Sequence, residues 1–326
     1  MEKIEKLLEI TDLKVYFKLK SSLLRKGKTV YAVDNISFDV YKGETLGIVG
    51  ESGCGKSSLA RSLVGLNEIT NGSVMFLGKD DLAHANSERW HAIRKDIQFI
   101  FQDPVASLNP RMTVAEIIAE PLNVYYPKMS QADVLKKVLD MMHLVGLSDN
   151  QINRYPAEFS GGQCQRIGIA RALILDPHLI ICDESVSALD VSIKAQIINL
   201  LKELQQTLEL TVIFISHDLS VVKHICDRVL VMYLGNIMEL ATKDVIYKKH
   251  HHPYTQALLS AVPSADPRLE RQKKIKPLEG ELPSPMNPPK GCVFSTRCPL
   301  SDDGCKSARP ELRYMDDGAL VACFKA

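Results

Sequence analysis

The sequence predicts an α/β protein whose central parallel strands end at a ligand crevice, and three stretches carry that prediction. Thr45-Leu46-Gly47-Ile48-Val49 is an apolar run that breaks at Gly50 into a glycine-rich turn and resumes as a helix from Leu59. Leu179-Ile180-Ile181-Cys182 ends in two carboxylates, Asp183 and Glu184, and Thr211-Val212-Ile213-Phe214-Ile215-Ser216 ends at His217 and Asp218. Short apolar runs with polar residues at their carboxyl ends are the pattern of buried parallel strands that face a ligand there.

The chain has 326 residues, 45% apolar and 24% charged, with a net charge of +1. That length suits about two domains, each with its own core. Nothing in the charge balance argues for nucleic acid or an anionic membrane as partner. No apolar run approaches the ~20 residues of a membrane span, and the first residues lack a signal peptide's apolar core, so the expectation is a soluble cytosolic chain. In that compartment the eight cysteines are expected as thiols or metal ligands rather than disulfides.

Residues 7–18 and 30–40 alternate as strands around a basic, polar stretch at 20–28, which predicts an antiparallel edge sheet. Phe17, with Tyr16 second, is a candidate to stack on a purine; the ordinary reading of a strand aromatic is core. The turn Gly50-Glu51-Ser52-Gly53-Cys54-Gly55-Lys56-Ser57-Ser58 fits G-x-x-x-x-G-K-[ST] between a strand and a helix. Gly50, Gly53 and Gly55 let the backbone turn its N–H groups onto one anion, with Ser52 and Ser58 in the same loop. Lys56 can neutralise β- and γ-phosphate oxygens, and the Ser57 hydroxyl can ligate Mg²⁺. Without a ligand the same stretch is a tight strand-to-helix turn.

Short strands are expected at 72–78 and 97–101, the second leading into Gln102. An amide at that strand end can offer oxygen to Mg²⁺ or NH₂ to an attacking water, although an isolated Gln there is more often a surface residue. From 113 to 145 the pattern turns helical, with a break expected from Pro121 to Pro127, and reads as an inserted lobe ending near Pro156. Phe159-Ser160-Gly161-Gly162-Gln163 is a second glycine-bearing helix start, suited to an anion or simply capped.

Asp183 is placed to hold Mg²⁺ and Glu184 to polarise water, against the alternative that they cap a helix. His217 can donate to a γ-phosphate, or be structural. From Pro263 the tail is rich in proline and turn residues and reads as too polar to build much core. It carries Cys292, Cys298, Cys305 and Cys323, a thiolate set that suits zinc or an iron–sulfur cluster, although without C-x-x-C the spacing is atypical of zinc ribbons. Cys54, Cys164, Cys182 and Cys226 read as small buried thiols. His250-His251-His252 reads as a solvated junction rather than a metal site.

In this order and spacing the stretches resemble the ATP-binding subunits of ABC transporters, over residues from about 7 to 258. The resemblance makes Gly50 to Ser57 the Walker A loop, Gln102 the Q-loop residue and Ser160-Gly161-Gly162-Gln163 the signature. Residues 180–183 become Walker B, Glu184 the catalytic glutamate, residues 187–190 the D-loop and His217 the switch histidine. Phe159 stands where the signature usually has Leu, and Ser185 where Pro or Ala is commoner after the glutamate. Phe101-Gln102-Asp103-Pro104, Ser107-Leu108-Asn109-Pro110-Arg111-Met112 and His252-Pro253-Tyr254-Thr255-Gln256-Ala257-Leu258-Leu259 narrow the likeness to the oligopeptide/dipeptide importers. The length before the loop and Gly280-Glu281-Leu282-Pro283-Ser284-Pro285 look like their second, F-type ATPase.

That resemblance implies a P-loop NTPase (RecA-like) core at 1–262 with a helical subdomain inserted at about 103–158, and an extension at 263–326. It implies ATP and Mg²⁺ at Gln102, Ser57 and Asp183, and a [4Fe-4S] cluster on the four tail cysteines, with Zn²⁺ the alternative. The implied partners are a second ATP-binding subunit in a heterodimer around two ATPs, two transmembrane permeases and a substrate-binding protein, at the cytoplasmic face of the inner membrane. Nickel chelates, antimicrobial peptides or murein peptides are alternative cargoes. A soluble ABC ATPase of translation or repair, and a cluster-sensing subunit that binds ATP without turnover, are the alternatives to transport.

Overall fold

The computed structural model describes residues 5–19, 27–187, 189–263, 268 and 278–326. Most of the basic stretch at 20–28, Ala188 of the D-loop and most of 264–277 therefore lie outside the described residues. The chain forms two compact units, Met1–His84 with Ser216–Ala326, and Ala85–Ile215.

In the first unit β1 (Lys6–Lys18) and β2 (Thr29–Tyr41) pair antiparallel from Lys6↔Tyr41 to Lys18↔Thr29. Next come β3 (Thr45–Val49), α1 (Lys56–Ser62), β4 (Asn71–Phe76) and the two-residue β5 (Asp80–Asp81). The expected edge sheet is present, with strand order β2-β1-β4-β5. It buries Leu8, Ile10, Leu13 and Val15 from one strand against Val33, Ile36, Phe38 and Val40 of the next.

The second unit holds α2 (Ser87–Asp96), β6 (Ile97–Ile100), α3 (Val114–Tyr125), α4 (Gln131–Leu144), α5 (Gly161–Leu173), β7 (Leu179–Asp183), α6 (Val191–Thr207) and β8 (Thr211–Ile215). Strands β6, β7 and β8 pair in parallel, β7 central, and every residue of β7 and β8 is buried. That is why these runs lack alternation: both faces are covered. The break expected from Pro121 to Pro127 is present but later: α3 runs through Pro121 to Tyr125, and the chain leaves the helix over 126–130 before α4. A proline inside the helix removes one ladder hydrogen bond. The Thr113–Glu116 capping box and the burial of Ile117, Ile118 and Leu122 hold the helix together across the gap.

Returning to the first unit, α7 (Leu219–Ile225) leads to β9 (Arg228–Tyr233), parallel to β3, and to β10 (Asn236–Thr242), its antiparallel neighbour. Then follow α8 (Lys243–Lys249), α9 (Pro253–Ser260), α10 (Asp303–Ser307), β11 (Arg313–Tyr314) and β12 (Leu320–Val321). The extension is not the coreless tail its composition predicts. Strand β12 pairs with β10, and Val293, Phe294, Ala319 and Val321 are each at most 3% exposed. A few apolar side chains suffice because the extension packs on a sheet already formed. His252 is likewise not solvated: it is 2% exposed and caps α9 through Nδ1, which accepts the Tyr254 N–H at 3.0 Å.

Candidate functional site

The glycine-rich loop lies between the fully buried β3 and α1. Gly50 has φ +150° and Gly55 +106°; a Cβ on the first would sit 2.2 Å from the Met232 carbonyl oxygen, and on the second 2.1 Å from that of Ala32. Neither position accepts a side chain, so the loop hugs β9 and β2 with its backbone. Gly53, at φ +79°, and Ser52 are exposed at the loop's tip, while Ser57 and Ser58 are half-buried in the first turn of α1. No side chain caps that helix.

The Lys56 side chain curls back under the loop. Lys56 is 5% exposed, and its ammonium donates to the carbonyls of Gly50 at 2.8 Å and Glu51 at 3.1 Å. Both acceptors are neutral, so the buried charge lacks a full counterion among them, a cost that a phosphate would offset. The loop and Lys56 thus fit a polyphosphate.

Of the two aromatics proposed for a purine, Tyr16 is engaged: its hydroxyl donates to Asp34 at 2.5 Å and its ring meets Tyr31 edge-on at 4.9 Å. Burial, then the Asp34 carboxylate, push its phenol above the ordinary range. Phe17 is 37% exposed and is the more accessible aromatic of the pair. His217 is exposed just before α7, whose cap is Asp218, accepting from the N–H groups of Ser220 and Val221.

In the second unit, two residues 82 apart in sequence meet, as the Gln102 Nε2 donates to the Glu184 carboxylate at 3.2 Å. Glu184 sits at φ +48°, its N–H on the Ile215 carbonyl at 3.1 Å. A left-handed conformation is costly for a side chain of this kind, and such strain persists where surrounding bonds over-determine it. Here it turns the chain sharply off β7, so that Asp183 stays in the strand, 2% exposed, while the next side chain swings toward Gln102.

The signature stretch opens α5 with an intact capping box. Ser160 Oγ accepts the Gln163 N–H at 3.3 Å, and Gln163 Oε1 accepts the Ser160 N–H at 3.1 Å. Gly162 is a glycine for packing reasons, since a Cβ would come 2.3 Å from Ile193 Cγ2 of α6; at Gly161 the nearest atom would be Leu189 Cδ2, at 3.4 Å. Asp190, rather than Asp183 or Glu184, caps the next helix, accepting the Ile193 N–H at 3.0 Å.

All eight cysteines are free. Cys54, Cys164, Cys182 and Cys226 are buried as expected, and burial pushes the Cys182 thiol up to about 12. In the extension Cys292, Cys305 and Cys323 are buried and Cys298 is half-buried. Burial raises the Cys292 thiol above its ordinary range, with the Phe294 backbone bond opposing it. The Cys292 N–H donates to the Cys305 carbonyl at 2.8 Å, and the Lys325 N–H to Cys323 Sγ at 3.3 Å. Among the described residues no group of three or more His, Cys, Asp or Glu is arranged to hold a metal ion.

The sequence reading missed three residues around the glycine-rich loop. Glu51 is paired through Oε2 with Arg297 at 2.7 Å, and its N–H donates to the Tyr254 hydroxyl at 2.9 Å. Nothing local signals these partners, which lie 246 and 203 residues along the chain.

Two family models match the sequence: ABC transporter over residues 33–187, and oligopeptide/dipeptide transporter, C-terminal region, over residues 238–305. The chain is 61% identical to the oligopeptide transport ATP-binding protein OppF of Salmonella typhimurium, over 100% of this chain and 98% of that one. It is 62% identical to OppF of Escherichia coli K12, over 98% and 96% respectively, and 53% identical to AppF of Bacillus subtilis, over 98% and 97%. Among solved structures, the ATP-binding cassette MJ0796, in a dimeric post-hydrolysis state bound to ADP and Pi, matches with a TM-score of 0.64 at 28% identity, over 72% of this chain and 98% of that one. The cbiO1 subunit from Clostridium perfringens shares the fold, with a TM-score of 0.64 over 75% of this chain and 92% of that one.

Proposed function

The chain belongs to the family of ABC-transporter ATP-binding subunits that serve oligopeptide transport, and from that membership we propose that it is the ATP-hydrolysing motor of a peptide importer. The observation that carries this reading is the buried Lys56 ammonium held against its own loop's carbonyls beneath a glycine backbone that admits no side chain. ATP bound there supplies the γ-phosphoryl group that water accepts. On this reading the loop amides from Gly50 to Ser58 grip the phosphates, and Lys56 turns from its carbonyl partners to neutralise them. Phe17 supports the base. Ser57, Gln102 and Asp183 offer oxygens to Mg²⁺. Glu184 polarises the attacking water with Gln102 beside it, and His217 donates to the γ-phosphate.

Ser160, Gly161, Gly162 and Gln163 serve the ATP of a second ATP-binding subunit, in keeping with the dimeric state of the MJ0796 cassette. Two permease subunits and a substrate-binding protein complete the importer, with this chain peripheral at the cytoplasmic face of the inner membrane. No helix among the described residues is long and apolar enough to cross a membrane. Oligopeptides are favoured over nickel chelates or murein peptides as cargo, because full-length likeness is to oligopeptide transport proteins. The test is peptide-stimulated phosphate release from the complex reconstituted with its permeases; a complex that imports peptide without consuming ATP would refute the motor.

For the extension, four free cysteines in one short segment, three of them buried, and an amide donating to Cys323 Sγ support a [4Fe-4S] cluster on Cys292, Cys298, Cys305 and Cys323. Zinc on the same four sulfurs is the alternative, and the spacing without C-x-x-C is atypical of zinc ribbons. Anaerobically purified protein should be brown with about four irons per chain, and Cys298→Ser should bleach it while ATP binding survives. Colourless protein carrying one zinc would move the assignment to zinc.

A further inference from the structure

We propose that Arg297, in the C-terminal extension, is a positioning residue for nucleotide binding: it clamps Glu51 and so holds the phosphate loop in its binding shape. This rests on the reading of that loop as the ATP site. Arg297 reaches Glu51 Oε2 at 2.7 Å, with the two side chains only 9% and 27% exposed, so solvent screens the pair less than it would a surface ion pair. Glu51 is gripped again through its backbone, whose N–H donates to the Tyr254 hydroxyl at 2.9 Å. Burial raises that phenol well above its usual range, so it remains a hydroxyl.

The clamp acts where binding is decided. The carbonyls of Gly50 and Glu51 are the acceptors that hold Lys56. Fixing Glu51 at its side chain and its amide therefore fixes the two peptide units that aim the phosphate-binding ammonium. The clamp itself is rigid. The Arg297 guanidinium lies 5.9 Å from the centre of the Tyr233 ring, which meets Tyr254 at 4.8 Å and Phe294 at 5.3 Å, and all three aromatics are at most 1% exposed. A loop already held in shape loses less conformational freedom when its ligand arrives, and the gain appears as affinity.

The experiment compares the full chain with Arg297→Met, which keeps the stem on Tyr233 and removes the charge, and with Glu51→Gln and the double variant. Mg-ATP affinity is read by calorimetry, and KM and kcat in the reconstituted transporter. Arg297→Met loses a hydrogen bond between charged groups and should weaken ATP binding about tenfold, and Glu51→Gln, which keeps an acceptor but not its charge, should weaken it by a smaller factor, both chiefly through KM. The double variant should be no worse than the poorer single, because both remove one contact, and Arg297→Lys should recover most of the affinity. Should Arg297→Met fail to fold, Glu51→Gln carries the test, since it leaves the extension's packing intact. Wild-type affinity in Glu51→Gln, losses that multiply in the double variant, or a fall in melting temperature with KM unmoved would each overturn the clamp. A wild-type chain that binds no ATP would instead overturn the nucleotide reading beneath it.

Discussion

Two glycine-bearing helix starts in this chain look alike in sequence and differ in structure. At the first, Gly55 precedes α1 in a left-handed conformation with no side-chain cap, and the nearest cation is turned inward onto backbone carbonyls. At the second, Ser160 and Gln163 close a reciprocal box, and Gly162 is small because α6 presses on it. The first start is shaped by its glycine backbone and has no side-chain cap; the second is closed by its own side chains. The comparison teaches that two glycine-bearing helix starts can need their glycines for different reasons, one for a left-handed backbone and one for close packing, and that glycine count alone does not reveal which.

The largest effect should come from Glu184, whose carboxylate meets Gln102 at 3.2 Å. Glu184→Gln should keep nucleotide binding at the first helix start and lower turnover by about 10² to 10⁴, the range for losing a general base. Phosphate release near wild type in that variant would break the division between a binding loop and a separate water-activating pair.

A third helix start sharpens the comparison by using neither glycine nor hydroxyl. His252 caps α9 with a neutral imidazole, since Nδ1 accepts the Tyr254 N–H at 3.0 Å and burial pushes its pKa down to about 4. In the unfolded chain it titrates near 6.5, so between those values the unfolded state binds the extra proton. The stability due to the neutral ring is full above about pH 6.5 and is lost as pH falls through about 4, a change of about 3 kcal/mol. Against a His252→Asn variant, which can still accept the N–H, the wild type should lose melting temperature more steeply over that window. Parallel curves would show that the ring is not held neutral.

Gly162 tests the packing half of the argument. An alanine there places its Cβ 2.3 Å from Ile193 Cγ2, and overpacking of this kind costs about 1–3 kcal/mol. Gly162→Ala should therefore lower the unfolding midpoint in denaturant, and Ile193→Ala should restore part of it. A loss of stability that the second substitution leaves unchanged would return Gly162 to a purely ligand-binding role.

How much was legible follows the same division. Strands β3, β7 and β8 and the residues at their ends could be read because burial on both faces writes itself as an unbroken apolar run. Gln102 and Glu184 could each be placed at a strand end, but the bond between them, across 82 residues, was not read. Pro121 was misread because tertiary burial of Ile117 and Leu122 outweighs a local breaker. The extension's core was missed because its few apolar residues need β10 as a floor, and His252 because a buried cap looks in sequence like any histidine run. Arg297 was invisible: an ion pair closed across 246 residues leaves no periodic trace.

The smallest effect concerns the box at the second helix start, and it settles whether that start is complete by itself. Ser160 is exposed, so truncating it leaves no cavity, and the cost of Ser160→Ala is that of a lost cap, about 1 kcal/mol. Gln163→Ala breaks the reciprocal bond to the Ser160 N–H, and because the two bonds close one turn, the double variant should cost less than the sum. Hydrogen exchange in the first turn of α5 should quicken in all three variants, while the amides of the loop before α1 exchange as in the wild type. If instead the box variants leave α5 protected, then its first turn is held by the packing of Gly162 on Ile193 rather than by the cap. The signature serine would then be unnecessary to the helix that carries it, which would leave the partner subunit's nucleotide as its remaining physical reason for being a serine.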